Sequence, residues 1–259
     1  MTGNNRRGLV LQERDRHLLR ELSIMRIIDR EQAKCVAGFQ STRRVNSRLL
    51  ILTRAGLLRR FFLGTSGGGQ KALYALSPTG AKLVDVSFRG PRRARDTALV
   101  ADFFVTHQLY INGIYCSLKF RSIPVPDAAF VKWLSFYEPL EPDTRLIPDG
   151  YVEILSPQKA LAAFVEVDLG HESLSVWTRK VETYLRYAIS GGFGKRFGQR
   201  HFRVLVVVNS ERRMHSLRKA TSSFTDKVFW FSTFDSLERE GFWSPVWHRA
   251  EGDQCQPLL

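Results

Sequence analysis

Three carboxylates in the second half of the chain have the spacing of a metal-dependent active site. Glu166 and Asp168 lie two residues apart in the apolar run 163–169, and a strand there would place both on one face. Two neighbouring carboxylates repel each other and are costly to bury unless a cation or protons neutralise them. Asp149, in the preceding predicted strand, could complete an oxygen-rich site for Mg²⁺ or Mn²⁺. Such an ion activates water and stabilises the charge that develops during phosphodiester cleavage.

The same acids also have a non-catalytic interpretation. Lys180, Arg179 or backbone N–H groups could hold them in a scaffold that cleaves nothing. Glu172, just past the acidic strand, is either a further acid of the site or a residue favoured by the helix dipole. His107 is expected to be a core histidine rather than a catalytic one.

The elements that position these acids alternate between strand and helix. An α-β-β-β-α-β-α-β order predicts an α/β sandwich, with Pro148-Asp149-Gly150 interrupting the second strand. The glycine-rich stretch 191–200 lacks the Walker ending and precedes a strand, so we exclude nucleotide binding and expect a flexible basic loop that touches DNA or a plain connection. Helices are predicted at about 97–119, 172–189 and 212–222, and strands at about 130–137, 146–155, 161–169, 202–208 and 227–231.

Positive charge is concentrated in the first hundred of the 259 residues. They hold 20 Lys and Arg against 7 Asp and Glu, whereas the remainder holds 19 against 18, so almost all of the net charge of +14 lies there. This asymmetry favours a polyanionic partner, nucleic acid first, and a solvated basic surface is the alternative. Three scattered cysteines exclude a disulfide framework, and no apolar run reaches the ~20 residues of a membrane span. We therefore expect a cytoplasmic protein without a membrane partner.

The same hundred residues predict three helices followed by a hairpin. A capping box at Asp29 opens the second helix, and the stripe Val45, Leu49 and Leu52 marks the buried side of the third. A glycine-rich turn separates the two hairpin strands, and Ser77-Pro78 begins a further helix. This order is typical of a winged helix-turn-helix. The helices are predicted at 12–25, 29–36 and 42–55, with Gly56 as the stop of the third, and the strands at 57–63 and 71–76.

The third helix and the hairpin carry the residues that such a domain would place on double-stranded DNA. A helix with outward Arg and small polar groups can enter a major groove, while a basic wing reaches an adjacent phosphate or minor groove. A winged helix used only for protein contacts or dimerisation is the alternative. The predicted DNA-binding residues are Arg43, Arg44, Ser47, Arg48, Arg54, Arg59, Arg60 and Lys71.

The acidic motif resembles the PD-(D/E)xK nuclease superfamily. Pro-Asp at 148–149 is followed by a strand with Glu-x-Asp, so that Asp168 occupies the position where that superfamily has lysine. The resemblance implies that the lysine which positions or activates the attacking water is replaced by Lys180 on the next helix, with Tyr184 on the same helical face. It implies a catalytic set of Asp149, Glu166, Asp168 and Lys180, with the three acids as ligands of Mg²⁺ or Mn²⁺.

A narrower resemblance covers nearly the whole chain. The sequence is similar to the replication-relaxation family, proteins of plasmids and other mobile elements, in which Asp at the lysine position is usual. The resemblance implies a DNA-binding protein acting at a plasmid or mobile-element origin, with metal-dependent nicking and with other mobilisation or replication proteins as partners. The alternative is a non-catalytic regulator with a degenerate nuclease-like domain. The matching segments are His107–Asn112, Ile147–Asp149, Phe164–Ser173, Lys180, Tyr184 and Pro245–Trp247.

We therefore predict an α+β protein with two domains. A winged helix-turn-helix at 1–88 is followed by a basic linker at 89–96 and an α/β restriction-endonuclease-like (PD-(D/E)xK) domain at 97–259. A homodimer is compatible with this organisation.

Overall fold

The structure, a computed structural model, describes residues 9–64, 68–88, 102–157 and 160–259. It divides into two units, Met1–Cys116 and Ser117–Leu259. The fold is mixed α+β, with a three-stranded sheet in the first unit and a seven-stranded mixed sheet in the second. The linker predicted at 89–96 lies outside the described residues. Within the described ranges no helix is long and apolar enough to cross a membrane.

The first unit has the predicted helices and hairpin. The second helix begins with the expected capping box, in which the Asp29 side chain accepts from the Gln32 backbone N–H at 2.8 Å. Val45, Leu49 and Leu52 on the third helix are fully buried, as their spacing indicates. Its elements are α1 (Glu13–Met25), β1 (Ile27–Asp29), α2 (Arg30–Val36), α3 (Thr42–Arg54), β2 (Leu58–Gly64), β3 (Gln70–Leu76), α4 (Pro78–Leu83) and α5 (Asp102–Lys119).

Most of helix α5 lies in the first unit, which ends at Cys116, and its side chains bind the other elements of that unit. The buried Asn112 amide donates to the carbonyls of Met25 and Ile27, at 3.1 and 2.6 Å. One turn further, the Tyr115 hydroxyl donates to Glu21 Oε2 at 2.6 Å.

An apolar cluster joins the same helix to one face of the small sheet. Val105 packs there with Ile27 and Leu73, and the partly buried Phe61, Leu63 and Leu109 complete the cluster. Most of α5 therefore belongs to the first unit.

The second unit is built on one long sheet with the strand order β10-β9-β8-β7-β6-β5-β4. Strands β6, β7 and β8 are parallel, and the crossovers between them contain helices, whereas β4, β5 and β6 are antiparallel. The elements are β4 (Ala129–Leu134), β5 (Gly150–Leu155), β6 (Ala160–Asp168), α6 (Leu174–Ile189), α7 (Gly192–Phe197), β7 (Arg203–Val208), α8 (Glu211–Ser222), β8 (Phe229–Thr233), α9 (Phe234–Glu240), β9 (Trp247–Arg249) and β10 (Cys255–Gln256).

An aromatic core fixes α6, α7 and α8 on one face of this sheet. Phe164 of β6 lies at its centre, with ring centroids 5.4 Å from Tyr184 and 5.1 Å from Phe202. Phe193 and Phe197 are buried in the same core, so the stretch predicted as a loop at 191–200 contains a packed helix instead. A sequence rich in glycine and basic residues hid these two anchors, which are four residues apart on one helical face.

Candidate functional site

The edge of the large sheet brings Asp149 beside Glu166. Strand β5 begins at Gly150, so Asp149 precedes the strand and does not interrupt it. Because Gly150 pairs with Val165 in the antiparallel register, Asp149 stands at the carboxyl end of β6. Its backbone N–H donates to the Val165 carbonyl at 3.1 Å, and its Oδ2 accepts from the Val167 N–H at 2.7 Å. The backbone of β6 therefore fixes this half-buried carboxylate.

Glu166 is held from the helix above it. Its side chain is only 2 % exposed and faces α6. Lys180 Nζ donates to Oε2 at 3.0 Å, and the buried Tyr184 hydroxyl donates to Oε1 at 2.5 Å. These two donors are four residues apart on one face of α6, as the sequence predicts. Both oxygens of the carboxylate thus have a hydrogen-bond donor.

A third acid contacts the same lysine from the turn between β6 and α6. Lys180 Nζ lies 3.0 Å from Glu172 Oε1, the same distance as from Glu166. The second oxygen of Glu172, Oε2, is buried and has no hydrogen-bond donor in the described part of the chain. Lys180 therefore bridges two carboxylates, and Glu172 belongs to the cluster rather than to the helix N-terminus alone.

The cluster carries more negative than positive charge. Burial raises the pKa of Asp149 well above its usual value, and Glu166 and Glu172 raise it further, against the lowering effects of the Val167 N–H and Lys180. Burial alone would lower the pKa of Lys180, but Glu166 and Glu172 outweigh it and raise that pKa. Burial and Glu166 also raise the pKa of Tyr184 well above its ordinary value. At neutral pH Lys180 is therefore a cation and Tyr184 a neutral donor.

Asp168 is on the predicted strand face but outside this cluster. Arg213 on α8 binds it with two hydrogen bonds, Nε to Oδ1 at 3.0 Å and Nη2 to Oδ2 at 2.6 Å. The Gly170 N–H donates to Oδ1 at 2.6 Å. Arg213 also donates to the Glu172 carbonyl at 2.7 Å, so it ties the turn to α8.

The predicted ligand set of Asp149, Glu166 and Asp168 includes an acid that is paired with an arginine in the structure. In the described ranges, no group of three or more His, Cys, Asp or Glu side chains is placed to hold a metal ion. The structure brings together Asp149, Glu166 and Lys180, whereas Asp168 has Arg213 as its charged partner.

Sequence reasoning missed Arg213, although one signal pointed to it. The carboxyl ends of parallel strands meet at one edge of a sheet, so residues that follow β7 must lie near those that follow β6. The residues that follow β6 and β7 are indeed close, since Asn209 Nδ2 donates to the Leu169 carbonyl at 2.8 Å. Ser210 then caps α8 and places Arg213 in its first turn.

Five of the eight predicted DNA-binding residues are exposed on the first unit. Arg43, Arg44, Ser47 and Arg54 lie on the side of α3 away from its buried stripe. Arg60 is exposed on β2, with its guanidinium 5.0 Å from the centre of the Phe62 ring. These side chains are available to an external partner.

The other three predicted residues are engaged within the unit. Arg48 forms an ion pair with the buried Asp15, with Nε 2.7 Å from Oδ1. Lys71 Nζ lies 2.5 Å from Asp29 Oδ2. The half-buried Arg59 stacks on Phe88, with 5.5 Å between its guanidinium and the ring centre. Arg48 in particular has a structural partner that the spacing on α3 did not reveal.

The geometry defines a two-unit α+β protein with an acid–lysine cluster at the edge of its larger sheet. Residues 18–199 match the family model described as replication-relaxation, a span of more than half of the chain. The chain therefore belongs to the replication-relaxation family, as its motifs predicted, and membership suggests a role in replication or mobilisation. No curated protein and no solved structure gives a significant match to it.

Proposed function

We propose that this protein binds duplex DNA at a plasmid or mobile-element origin through its first unit and nicks it with its second. The observation that carries the nicking proposal is the cluster of Asp149, Glu166 and Lys180, in which the ammonium lies 3.0 Å from the Glu166 carboxylate. These are the residue types that the PD-(D/E)xK resemblance requires, with the lysine supplied by α6 instead of β6. The parallel and antiparallel strand order around β6 supports the same assignment.

The first unit supports docking as a winged helix. Its three helices precede a β2–β3 hairpin, and α3 presents exposed arginines on the side opposite to its buried stripe. A helix of this kind can enter a major groove while the hairpin contacts the flanking backbone. Partners of the assembled complex would include other mobilisation or replication proteins.

Asp149 and Glu166 fit a hard divalent cation. Burial and then the neighbouring Glu166 raise the pKa of Asp149, and the buried Glu172 Oε2 has no donor in the described part of the chain. Mg²⁺ is commonly held by one or two carboxylates and completes its shell with water. When bound, Mg²⁺ or Mn²⁺ would stabilise charge on the reacting phosphate.

Lys180 would then position the nucleophile, and neighbouring residues would hold the carboxylates of the site in place. The Lys180 ammonium, anchored by Glu166 and Glu172, is placed to orient a water molecule beside the phosphate and to stabilise its charge. Tyr184 donates to Glu166 and keeps that carboxylate turned toward the site. Arg213 holds the turn that carries Glu172.

The nicking test uses supercoiled plasmid that carries the protein's own origin, with Mg²⁺ or Mn²⁺. We expect open-circular product from the wild type and a loss of at least about 100-fold in Asp149→Ala. Asp143→Ala is the matched control, because Asp143 is exposed in the turn before the site. No relaxation by the wild type, or equal relaxation by Asp149→Ala, refutes the nicking activity.

The docking test compares Arg43→Ala and Arg44→Ala with Arg212→Ala, an exposed arginine on α8 that loses the same charge. Affinity for the origin duplex should fall in the first two variants only. The slope of log affinity against log salt concentration should fall by roughly 1 for each phosphate contact removed. Equal losses in all three variants would refute α3 as the docking helix.

A non-catalytic regulator is the second candidate, and the hydrogen bonding of Glu166 favours it. Both oxygens of the Glu166 carboxylate accept hydrogen bonds from the protein, and Arg213 donates to Asp168. In that case the cluster stabilises the sheet edge only. DNA binding would then stay salt-sensitive and dependent on Arg43 and Arg44, while Asp149→Asn would bind and regulate as the wild type does.

A further inference from the structure

Two arginines share one tryptophan ring in the second unit, away from the acid–lysine cluster. Trp230 in β8 pairs directly with Arg249 in β9, and Arg203 begins β7 on its other side. The guanidinium carbons lie 4.3 Å (Arg203) and 4.7 Å (Arg249) from the ring centre. Since Phe229 and Phe231 belong to the core beneath the helices, Trp230 points to the opposite face of the sheet.

The two guanidiniums have no carboxylate partner at ion-pair distance among the described residues. Arg203 Nη1 donates to the Leu258 carbonyl at 2.6 Å. Arg249 donates from Nε to the Asp226 carbonyl at 2.9 Å and from Nη2 to the carbonyls of Asp226 and Lys227. The Asp226 carboxylate acts on Arg249 only from a longer distance. Burial lowers the pKa of both arginines, and the charge of Arg249 lowers that of Arg203 further.

Several donors at this place have no acceptor within the described ranges. Trp230 is 4 % exposed, and its indole Nε1 is buried without a hydrogen bond. Arg203 uses only Nη1 for its hydrogen bond to the protein, and Arg249 leaves Nη1 unused. Both arginines are only partly buried, so solvent reaches them. A buried donor without an acceptor is destabilising, and an external acceptor would relieve that cost.

We propose that Arg203, Arg249 and Trp230 form a binding site for a phosphate oxyanion. A tetrahedral phosphate group offers oxygens in several directions, so it can accept from two guanidiniums at once. A carboxylate offers two oxygens in one plane, which a single guanidinium satisfies. Because the two guanidiniums stack on the Trp230 ring, the site recognises phosphate and does not stack a base. It lies outside the residues 18–199 that match the family, and it does not depend on nicking.

The test follows the indole N–H signals of the full-length protein by NMR during titration with inorganic phosphate at constant ionic strength. The chain has five tryptophans, and Trp230→Phe assigns the signal of interest. We expect that signal to move saturably while the other four stay in place. Arg203→Gln and Arg249→Gln should each weaken the apparent affinity about tenfold, whereas the control Arg212→Gln leaves it unchanged.

A short DNA duplex in a second titration distinguishes the two sources of phosphate. Saturation by inorganic phosphate identifies a site for the free anion, and saturation by the duplex alone identifies a backbone contact. No movement with either ligand, or the same movement with sodium chloride, overturns the proposal. The wild-type titration decides this even if an arginine variant fails to fold, and the four other indole signals report folding.

Discussion

Replacing Asp149 by asparagine should stabilise the second unit at pH values above the raised pKa of the Asp149 carboxyl. Asp149 is half-buried beside Glu166, and its pKa is raised because burial and two neighbouring acids outweigh Lys180. Asparagine removes the charge but keeps an oxygen that accepts from the Val167 N–H, which lies 2.7 Å from Oδ2.

The magnitude follows from two opposing changes. Relief of the like-charge contact with Glu166 should contribute about 2 kcal/mol, since such contacts cost several kcal/mol when partly buried. Exchange of a charged acceptor for a neutral one at the Val167 N–H should cost about 1 kcal/mol. We therefore expect a net gain of about 1 kcal/mol in the free energy of unfolding.

Tryptophan fluorescence during urea unfolding measures this change selectively. All five tryptophans lie in the unit Ser117–Leu259, so the signal reports the unit that contains the site. Asp143→Asn, an exposed acid-to-amide change, is the control and should leave stability within about 0.5 kcal/mol.

The gain should depend on pH with a definite sign. Because the pKa of Asp149 is raised on folding, the stabilising effect of its protonation is present below its ordinary value of 3.8 and is lost as pH rises through the folded value. The advantage of Asp149→Asn should thus be near zero in acid and reach its full size above the raised pKa. A variant that is less stable than the wild type at every pH, or whose advantage does not change with pH, would refute the charge imbalance.

Three further predictions concern stability. Lys180→Met leaves the 2 % exposed Glu166 without its cation and should lower the free energy of unfolding by about 3 kcal/mol in the same fluorescence assay; a loss below about 1 kcal/mol would contradict it. Arg48→Ala removes the partner of the buried Asp15 carboxylate and should lower the free energy of unfolding by about 2 kcal/mol. Arg43→Ala is the control and should change it by no more than about 0.5 kcal/mol. Thermal unfolding followed by circular dichroism measures both, and equal melting temperatures of the two variants would refute the distinction. Gly150→Ala places a methyl group against the Trp133 ring and should cost about 1–3 kcal/mol with a change in the tryptophan emission spectrum; an unchanged spectrum and stability would show that the ring can move freely.

Local sequence patterns were sufficient to predict much of the fold. The stripe on α3 and the capping box of α2 depend on residues within a few positions of each other, and both formed as predicted. The proximity of Asp149 to Glu166 could also be predicted from the sequence, because it requires only that two neighbouring strands be recognised. The prediction of Lys180 and Tyr184 on one side of α6 relied on helical spacing, which is reliable in a long amphipathic helix.

Long-range partners account for the parts that the sequence did not reveal. Asp168 meets Arg213, which is 45 residues away, and Arg48 meets Asp15, 33 residues away. A carboxylate beside another carboxylate looks like a metal ligand until the guanidinium that neutralises it is located. Strands β1, β9 and β10 are only two or three residues long, too short for an alternating pattern to show.

Helix α5 sets where the basic unit can be separated from the rest of the chain. A fragment that ends at residue 88 would uncover Ile27 and Leu73 and would leave the carbonyls of Met25 and Ile27 without the Asn112 amide. A fragment that ends at Cys116 keeps these contacts. As a transferable module, the basic half of this protein therefore includes a helix that carries none of its predicted DNA contacts.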